Sequence, residues 1–498
     1  MSQKEKSDYF NIAIRPGSTP YFPGMLSNEA MTSQKMFELV GARFEKAQIV
    51  VNFADYSNGF WSEADLLRAR KTLFEKQQKH NQIQEYTDSI MGRYEKIMSI
   101  LENYYTLNDS AKTKQTTIAV YGEICDHYRT LCCFAYVANI LNVVRDVRAD
   151  LAKYVTAEEK LDEYVLELTR NPGANFIYDH DLELIEILDS IDKTTENNLA
   201  EHSKKWHSLF MGSIGKTKPY DGINKRISMF REMTSAERTK KKEEYLETLN
   251  KVRLSQDRLE NNLGLSDETK ASVSIVRDII LLKETRKFCM TRIISYFDKF
   301  AEDLGGLYNL SASLSRNIMP EEYTNGYLMT GQKITESSAE AIVNSSFYIF
   351  ENGIGKRYLG EQVPQMIQKY DITFTGDVKV VPKGGSQQFK KKKTYKGFVA
   401  CLGKYKGPVR LVEKLDDLND FHEGDVLVTS ITTPEYAVIF DKIKAMITFD
   451  GASLTSHPAT LAREYKIPAI LGVEDLYSVL KNGDIVEVDA NNNRIRIF

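Results

Sequence analysis

The chain has 498 residues, enough for two or three domains with their own cores, and its 42% hydrophobic and 27% charged content is that of an ordinary globular protein. A formal net charge of -3 with no basic stripe gives no footprint for nucleic acid. No apolar run reaches bilayer length, and the opening MSQKEKSDYFNIAIRPG lacks the apolar core of a signal peptide, so a cytoplasmic protein that meets no membrane is expected.

Residues 1 to about 60 carry the early proline and glycine cluster IRPGSTPYFPGMLS, followed by FELVGARF and IVVNFADY, which read as short strands. The expectation is an irregular or hairpin-like entry segment. Ser18 and Thr19 fit either a simple turn or the wall of a substrate pocket. From about Ser62 to Leu310 the pattern turns helical. EADLLRARKTLFEKQQKHNQIQEY, MGRYEKIMSILENYY, EEKLDEYVLELTR, LELIEILDSI, SAERTKKKEEYLETLNKVRLSQDRLENNL and TKASVSIVRDIILLKETRKFCMTRIISYFDKFAEDLG all place apolar residues three and four apart with charges between them.

The five cysteines, Cys125, Cys132, Cys133, Cys289 and Cys401, are odd in number and match neither a disulfide framework nor a zinc site. Three of them fall in ICDHYRTLCCFAYVANIL, where buried thiols act as small hydrophobes. In LAEHSKKWHSLFMGSIGKTKPYDG, His202 and His207 are five apart, which is not the spacing of His-Glu-x-x-His, so no metal site is predicted. The Gly-Lys-Thr of the same stretch lacks the first glycine of a phosphate-cradling loop, because Phe210 stands five residues before Gly215.

Within RDIILLKETRKF, Lys283 and Lys287 are one helical turn apart, with Glu284 and Arg286 beside them and Arg277 nearly two turns earlier. Two ammonium groups on one face repel unless an acid or an anionic ligand lies between them, so this helix is either an ordinary surface helix or an anion-binding one. Downstream, VVPKGGSQQFKKKKTYKGF combines Gly384-Gly385-Ser386 with Lys390 to Lys393, a composition that makes a flexible, extended tether. After it GFVACLGKYKGPVRLV, DVLVTSI, AVIFDKI, KAMITFD, IPAILG, DIVEVDA and NNNRIRIF alternate with turns and are rich in Val and Ile, as strands of a compact α/β unit are. The predicted architecture is multidomain. A mainly α-helical N-terminal domain over 1–375 is followed by a flexible linker over 376–395 and a small α/β domain over 396–498.

The stretch FDGASLTSHPATLAREYKIPAILG, Phe449 to Gly472, organises that last domain. Pro458 directly after His457 suits the first turn of a helix, so the histidine stands at a helix N-terminus, where free backbone N–H groups and a partial positive charge suit an anion. With Gly424-Asp425-Val426-Leu427-Val428 and Thr432-Thr433-Pro434-Glu435, the stretch resembles the phosphohistidine swivelling domain of the phosphoenolpyruvate-utilising enzymes, a family that includes phosphoenolpyruvate synthase, pyruvate phosphate dikinase and rifampin phosphotransferase. The chain departs from the family at the paired glycines before the histidine, here Ala452-Ser453, and at the following small residue, here Pro458.

The resemblance implies that His457 is phosphorylated, with Thr455 and Ser456 as hydroxyl neighbours and Arg463 as the family arginine. It also sets the helix around Lys283 beside the arginine-glutamate-x-x-lysine helix of the substrate domain of rifampin phosphotransferase, which makes Lys283, Glu284, Lys287 and Arg277 candidate phosphoryl-binding residues. A neutral imidazole is a competent nucleophile near pH 7 and splits one difficult transfer into two displacements. In these enzymes ATP is used in an ATP-grasp domain, for which this sequence has no counterpart. The resemblance therefore implies a phosphotransferase component that draws on Mg²⁺ and ATP at the site of a separate ATP-grasp subunit and delivers the phosphoryl group to a small-molecule acceptor. The alternatives are a phosphoenolpyruvate synthase-type component acting on pyruvate, or a non-catalytic regulatory protein with an inherited phosphohistidine-like domain.

Overall fold

The computed structural model of the chain describes residues 9–498 apart from 17–21, 46–47, 54–55, 109, 142–143, 156–157, 172–175, 191–194, 207–221, 371–393, 413–414, 430–431, 433–435, 437–438, 441, 450–456, 474–475 and 477–478. Ser18, Thr19, Thr455, Ser456 and linker residues 376–393 lie outside the described residues, whereas Tyr395, read as the linker's last residue, is buried and bridges to Ile495 of the sheet.

In chain order β1 (Tyr9–Pro16) is followed by α1 (Phe22–Thr32), α2 (Gln34–Val40), β2 (Gln48–Phe53), β3 (Tyr56–Ser62), α3 (Glu63–Lys79), α4 (Ile83–Thr106), α5 (Lys114–Ala135) and α6 (Val137–Ile140). Then come α7 (Val144–Leu151), α8 (Glu158–Thr169), α9 (Phe176–Asp189), α10 (Thr195–Trp206), α11 (Gly222–Glu232), α12 (Ser235–Leu263) and the long α13 (Asp267–Tyr308). Short helices α14 (Ala312–Ser315), α15 (Pro320–Asn325) and α16 (Glu336–Asn344) lead to β4 (Ser345–Glu351), β5 (Ile354–Leu359) and α17 (Gln362–Lys369). The remainder holds β6 (Phe398–Cys401), β7 (Lys404–Val412), β8 (Val426–Thr429), β9 (Ala445–Thr448), α18 (His457–Glu464), β10 (Ala469–Leu471), β11 (Ile485–Asp489) and β12 (Arg494–Ile497).

Local chemistry sets these boundaries. Helix α12 opens on a capping box in which the Thr234 hydroxyl accepts from the Glu237 N–H while the Glu237 carboxylate accepts from the Thr234 N–H, and it closes on Gly264 at φ 59. FELV belongs to helix α2, not to a strand as the sequence pattern suggests. The Ser33 hydroxyl accepts from the Met36 N–H, and the buried Met36 and Val40 are four apart, which is helical spacing rather than strand alternation.

The chain forms two compact units, Met1–Asn142, Ile214–Lys216 and Thr285–Lys383 in the first, and Val143–Ser213, Thr217–Glu284 and Gly384–Phe498 in the second. In the first, a five-stranded antiparallel sheet of order β1-β3-β2-β4-β5 joins the entry segment to residues 345–359. IVVNF forms β2 as expected, whereas β4 and β5 were not among the elements read from the sequence. Helices α4 and α5 bury Tyr, Ile and Leu at helical spacing, and Tyr104, Tyr121 and Phe300 pack ring against ring. Arg357 and Glu322 form a fully buried pair in which the guanidinium also donates to the Asn317 carbonyl.

The second unit carries helices α7 to α12, the start of α13, and a seven-stranded sheet of order β12-β11-β7-β8-β9-β10-β6. Strands β7, β8, β9 and β10 run parallel, and β6 and β11 flank them antiparallel. Val409, Val426, Val428, Ala445, Ile447 and Ile470 fill its core, and β8, β9 and β10 are buried along their whole length, as parallel strands covered on both faces are. AVIFDKI is not a strand among its described residues. Ile439 and Phe440 lie in a turn, where the Ile443 N–H donates to the Ile439 carbonyl, so the buried Ile439, Phe440 and Ile443 point inward from one coil.

Candidate functional site

The β9–α18–β10 crossover positions His457. Because β8 and β9 are parallel, both strands leave the sheet at the same edge, and past Phe449 the next described residues open α18 with His457 first and Pro458 second. Ligands of open α/β sheets collect at the carboxyl ends of parallel strands, and a helix N-terminus offers free N–H groups suited to an anion. The apolar side of α18, Ala459, Leu461 and Ala462, is buried, which fixes the helix against its neighbours.

The strand ends at this edge are tied together. The Phe449 N–H donates to the Thr429 carbonyl and the Val473 N–H to the Thr448 carbonyl, while the Thr429 hydroxyl meets the Val412 carbonyl at 2.9 Å and the Tyr436 hydroxyl at 2.8 Å. Thr432, three residues beyond β8, is buried, yet its hydroxyl has no hydrogen-bond partner among the described residues. An unmade bond of this kind costs about 1–3 kcal/mol. It is a signal only the fold reveals, although Thr432 opens one of the quoted motif pieces.

Arg463 lies at the other end of α18. It is six residues from His457, which is about 9 Å of rise and roughly 120° round the axis. The residue is buried, and its carbonyl accepts from the Arg170 guanidinium at 3.0 Å, so a cation sits on the negative end of the helix dipole. Arg170 in turn follows the last residue of α8. That helix end is gripped by Arg277, whose Nε donates to the Leu168 carbonyl at 2.6 Å and whose Nη2 pairs with Glu260 at 2.9 Å, and by the Gln256 amide, which donates to the Glu167 and Arg170 carbonyls. Arg277 therefore acts through α8 in this structure. Arg170 was missed because its partner is almost three hundred residues away.

Lys283, Glu284 and Lys287 lie on α13 and are half-buried. Lys283 and Glu284 belong to the second unit and Lys287 to the first, and Arg286 donates to the Asn139 side chain at 2.6 Å.

His180 and His202 are structural. His202 is buried with Nδ1 3.1 Å from Glu183, the same carboxylate that accepts from the Trp206 indole at 3.1 Å, and burial followed by the neighbouring His180 pushes its pKa down to about 4. The four buried cysteines are pushed up first by burial, Cys132 to about 12 and Cys133 to about 11, which keeps them as unreactive thiols. Among the described residues no three His, Cys, Asp or Glu side chains gather as metal ligands, and no helix is long and apolar enough to cross a membrane.

Residues 421–493 match the family "PEP-utilising enzyme, mobile domain". The chain is 40% identical over 101 residues to the uncharacterized phosphotransferase YvkC of Bacillus subtilis (strain 168), covering 20% of this chain and 12% of that one. It is 24% identical over 262 residues to the rifampicin phosphotransferase of Bacillus cereus (strain ATCC 14579), covering 53% of this chain and 28% of that one, so the likeness reaches beyond the mobile domain. A phosphoenolpyruvate synthase of Neisseria meningitidis serogroup B (strain MC58) is 28% identical over 188 residues, covering 34% of this chain and 22% of its own. The matched stretch is thus under a third of the length of each of these relatives.

Proposed function

We propose that this chain, whose residues 421–493 are a mobile domain of the phosphoenolpyruvate-utilising enzymes, is a phosphotransferase component that carries a phosphoryl group on His457. The observation that carries the reading is that His457 is the first residue of α18, a helix N-terminus inside the matched domain. The imidazole attacks the donor phosphorus, the bond to the leaving nucleotide oxygen breaks, and a phosphoramidate forms. An acceptor hydroxyl or carboxylate then attacks the same phosphorus and frees the imidazole. Phosphoryl transfer of this kind depends on positioning and charge stabilisation, for which the α18 N–H groups, with Thr455 and Ser456, are the nearest donors in sequence.

The donor is ATP with Mg²⁺, bound by a separate ATP-grasp subunit. In this reading Mg²⁺ acts at that partner's site, as it does for the nucleotide in the enzymes the chain resembles. The acceptor is a small molecule bound by the helical part, with Lys283, Lys287 and Glu284 as the candidate groups facing it and Arg463 as the family arginine. Incubating the chain with labelled Mg²⁺-ATP, with and without a candidate ATP-grasp subunit, tests the reading. Acid-labile, alkali-stable label that needs both the partner and His457 is expected, and label persisting in His457→Ala overturns it. Pyruvate is the first acceptor to try, because several relatives are named phosphoenolpyruvate synthase.

A further inference from the structure

Helices α8 and α12 each present one stripe to a cleft of about 780 Å³ whose far wall is β6 and the C-terminal end of α18. On α12 the stripe runs Lys251, Leu254, Ser255, Arg258, Leu259 and Asn262, a spacing that keeps every member on one face. Five cations line the cleft, Arg170, Lys251, Arg258, Arg463 and Lys466, against two carboxylates, Glu163 and Glu167. Lys251 is already paired with Glu247 at 2.6 Å, whereas Arg258 and Lys466 have no carboxylate within ion-pair distance among the described residues. The field of this wall reaches its neighbours. Burial pushes the Cys401 thiol up while Arg463 and Arg170 pull it down.

Two further observations point to a ligand. Lys466 holds φ at 53, in the left-handed region that favours glycine or asparagine, at the closing turn of α18, where the Ile467 N–H donates to the Ala462 carbonyl. A lysine there is a strained choice that puts a cation on the cleft wall. The cleft also leaves large apolar side chains in water, with Leu254 54% and Leu402 40% exposed. A cationic surplus asks for more than one negative charge, which a phosphate monoester carries and a carboxylate does not, and the arginine forks match phosphate oxygens. Exposed leucines ask for an apolar body on the same molecule.

We propose that this cleft binds a small organic phosphate with an apolar or aromatic body, at the end of α18 opposite His457. Because its walls come from α8 and α12 on one side and from β6 and α18 on the other, occupancy favours the arrangement in which the C-terminal sheet rests on those helices. Binding does not depend on the carrier reading; only this consequence for domain docking does.

The test is calorimetric titration of phenyl phosphate and of inorganic phosphate into the full-length His457→Ala chain, where no transfer occurs, with phosphohistidine labelling of the His457 chain run separately. Saturable binding of phenyl phosphate, about tenfold tighter than inorganic phosphate, is expected. Arg258→Gln and Lys466→Asn should each weaken it roughly tenfold. Lys466→Asn suits the left-handed turn, so its melting temperature should not fall, and its effect is read on a folded chain. Arg253→Gln, on α12 outside the cleft, should leave the affinity unchanged. Absence of saturable binding, equal affinity for the two probes, or full affinity in both Arg258→Gln and Lys466→Asn overturns the proposal.

Discussion

Replacing Arg226 with leucine removes the cation from the most deeply buried charged pair of the second unit. Asp181 on α9 is 0% exposed and Arg226 on α11 is 1% exposed. The carboxylate accepts from Arg226 Nε at 3.0 Å, from the Arg226 Nη2 group, from the Tyr245 hydroxyl of α12 at 2.8 Å, and it meets His180 Nδ1 at 2.9 Å. Burial alone would raise the Asp181 pKa, but the guanidinium, together with these hydrogen bonds, holds it well below the usual carboxylate range. Without the guanidinium, burial pushes the Asp181 pKa up, so Arg226→Leu leaves either a stranded charge or a protonated carboxyl deprived of its partner, a change worth about 3–5 kcal/mol of destabilisation at neutral pH. In the Asp181→Asn/Arg226→Leu double variant no buried charge is stranded, and a coupling of roughly 1–3 kcal/mol should return. The assay is urea unfolding followed by Trp206 fluorescence in a Trp61→Phe background, since Trp206 donates to Glu183 in the same helical cluster. A depressed carboxyl pKa contributes stability above its unfolded value and loses it as pH falls through the folded one, while the variant's raised pKa gains from protonation, so the gap between wild type and Arg226→Leu should be largest at neutral pH and shrink as the solution is acidified. An Arg226→Leu chain within about 0.5 kcal/mol of wild type, or a double variant no more stable than the single, refutes the reasoning.

Thr432→Val keeps the volume and deletes the unpartnered hydroxyl, so thermal stability should rise by up to about 1 kcal/mol while phosphohistidine formation slows; stability and labelling unchanged together would make the residue irrelevant to both. His202 is neutral when buried, with a pKa near 4 against about 6.5 unfolded, so its contribution is present above pH 6.5 and is lost as pH falls toward 4; wild type should lose more thermal stability over that window than His202→Gln. Gly397→Ala would set a Cβ 2.4 Å from the Leu471 carbonyl oxygen, and a loss of about 1–3 kcal/mol is expected in the unfolding of the C-terminal sheet. Arg277→Lys gives up the two-pronged grip on Leu168 and Glu260, so the melting temperature should drop; slowed transfer to acceptor at an unchanged melting temperature would instead put Arg277 at the substrate.

The helical middle of the chain was legible because amphipathic spacing there runs for long stretches, and α12 begins and ends at the residues its cap and glycine dictate. His457 at the head of α18 was legible for the same kind of reason, since a proline in the next position marks a first turn. Short apolar pieces were not. FELV and AVIFDKI carry strand-like composition, and only a serine cap in one case and a buried coil in the other decide against strands. Strand β4 escaped because its partner β2 lies far away in sequence, and β5 went with it because it pairs only with β4. The grip of Arg277 on α8, the carbonyl of Arg463 under Arg170, and the cleft beside them are contacts between remote segments, which leave no local pattern to read.

The pairing of Gln48 with Phe350 also sets an order of assembly. During synthesis β1, β3 and β2 emerge early, but the edge of β2 waits for about 300 further residues, roughly 15–60 s at 5–20 residues per second. A three-stranded ribbon of this kind is marginal by itself, and its open edge is a template for pairing with another nascent chain. Helices α7 to α12 leave the ribosome during that wait, so the nascent protein holds formed helices beside an unfinished sheet until β4 arrives. A chain cut before Ser345 would keep that edge open permanently, which makes β4 the segment that turns an aggregation-prone intermediate into a closed fold.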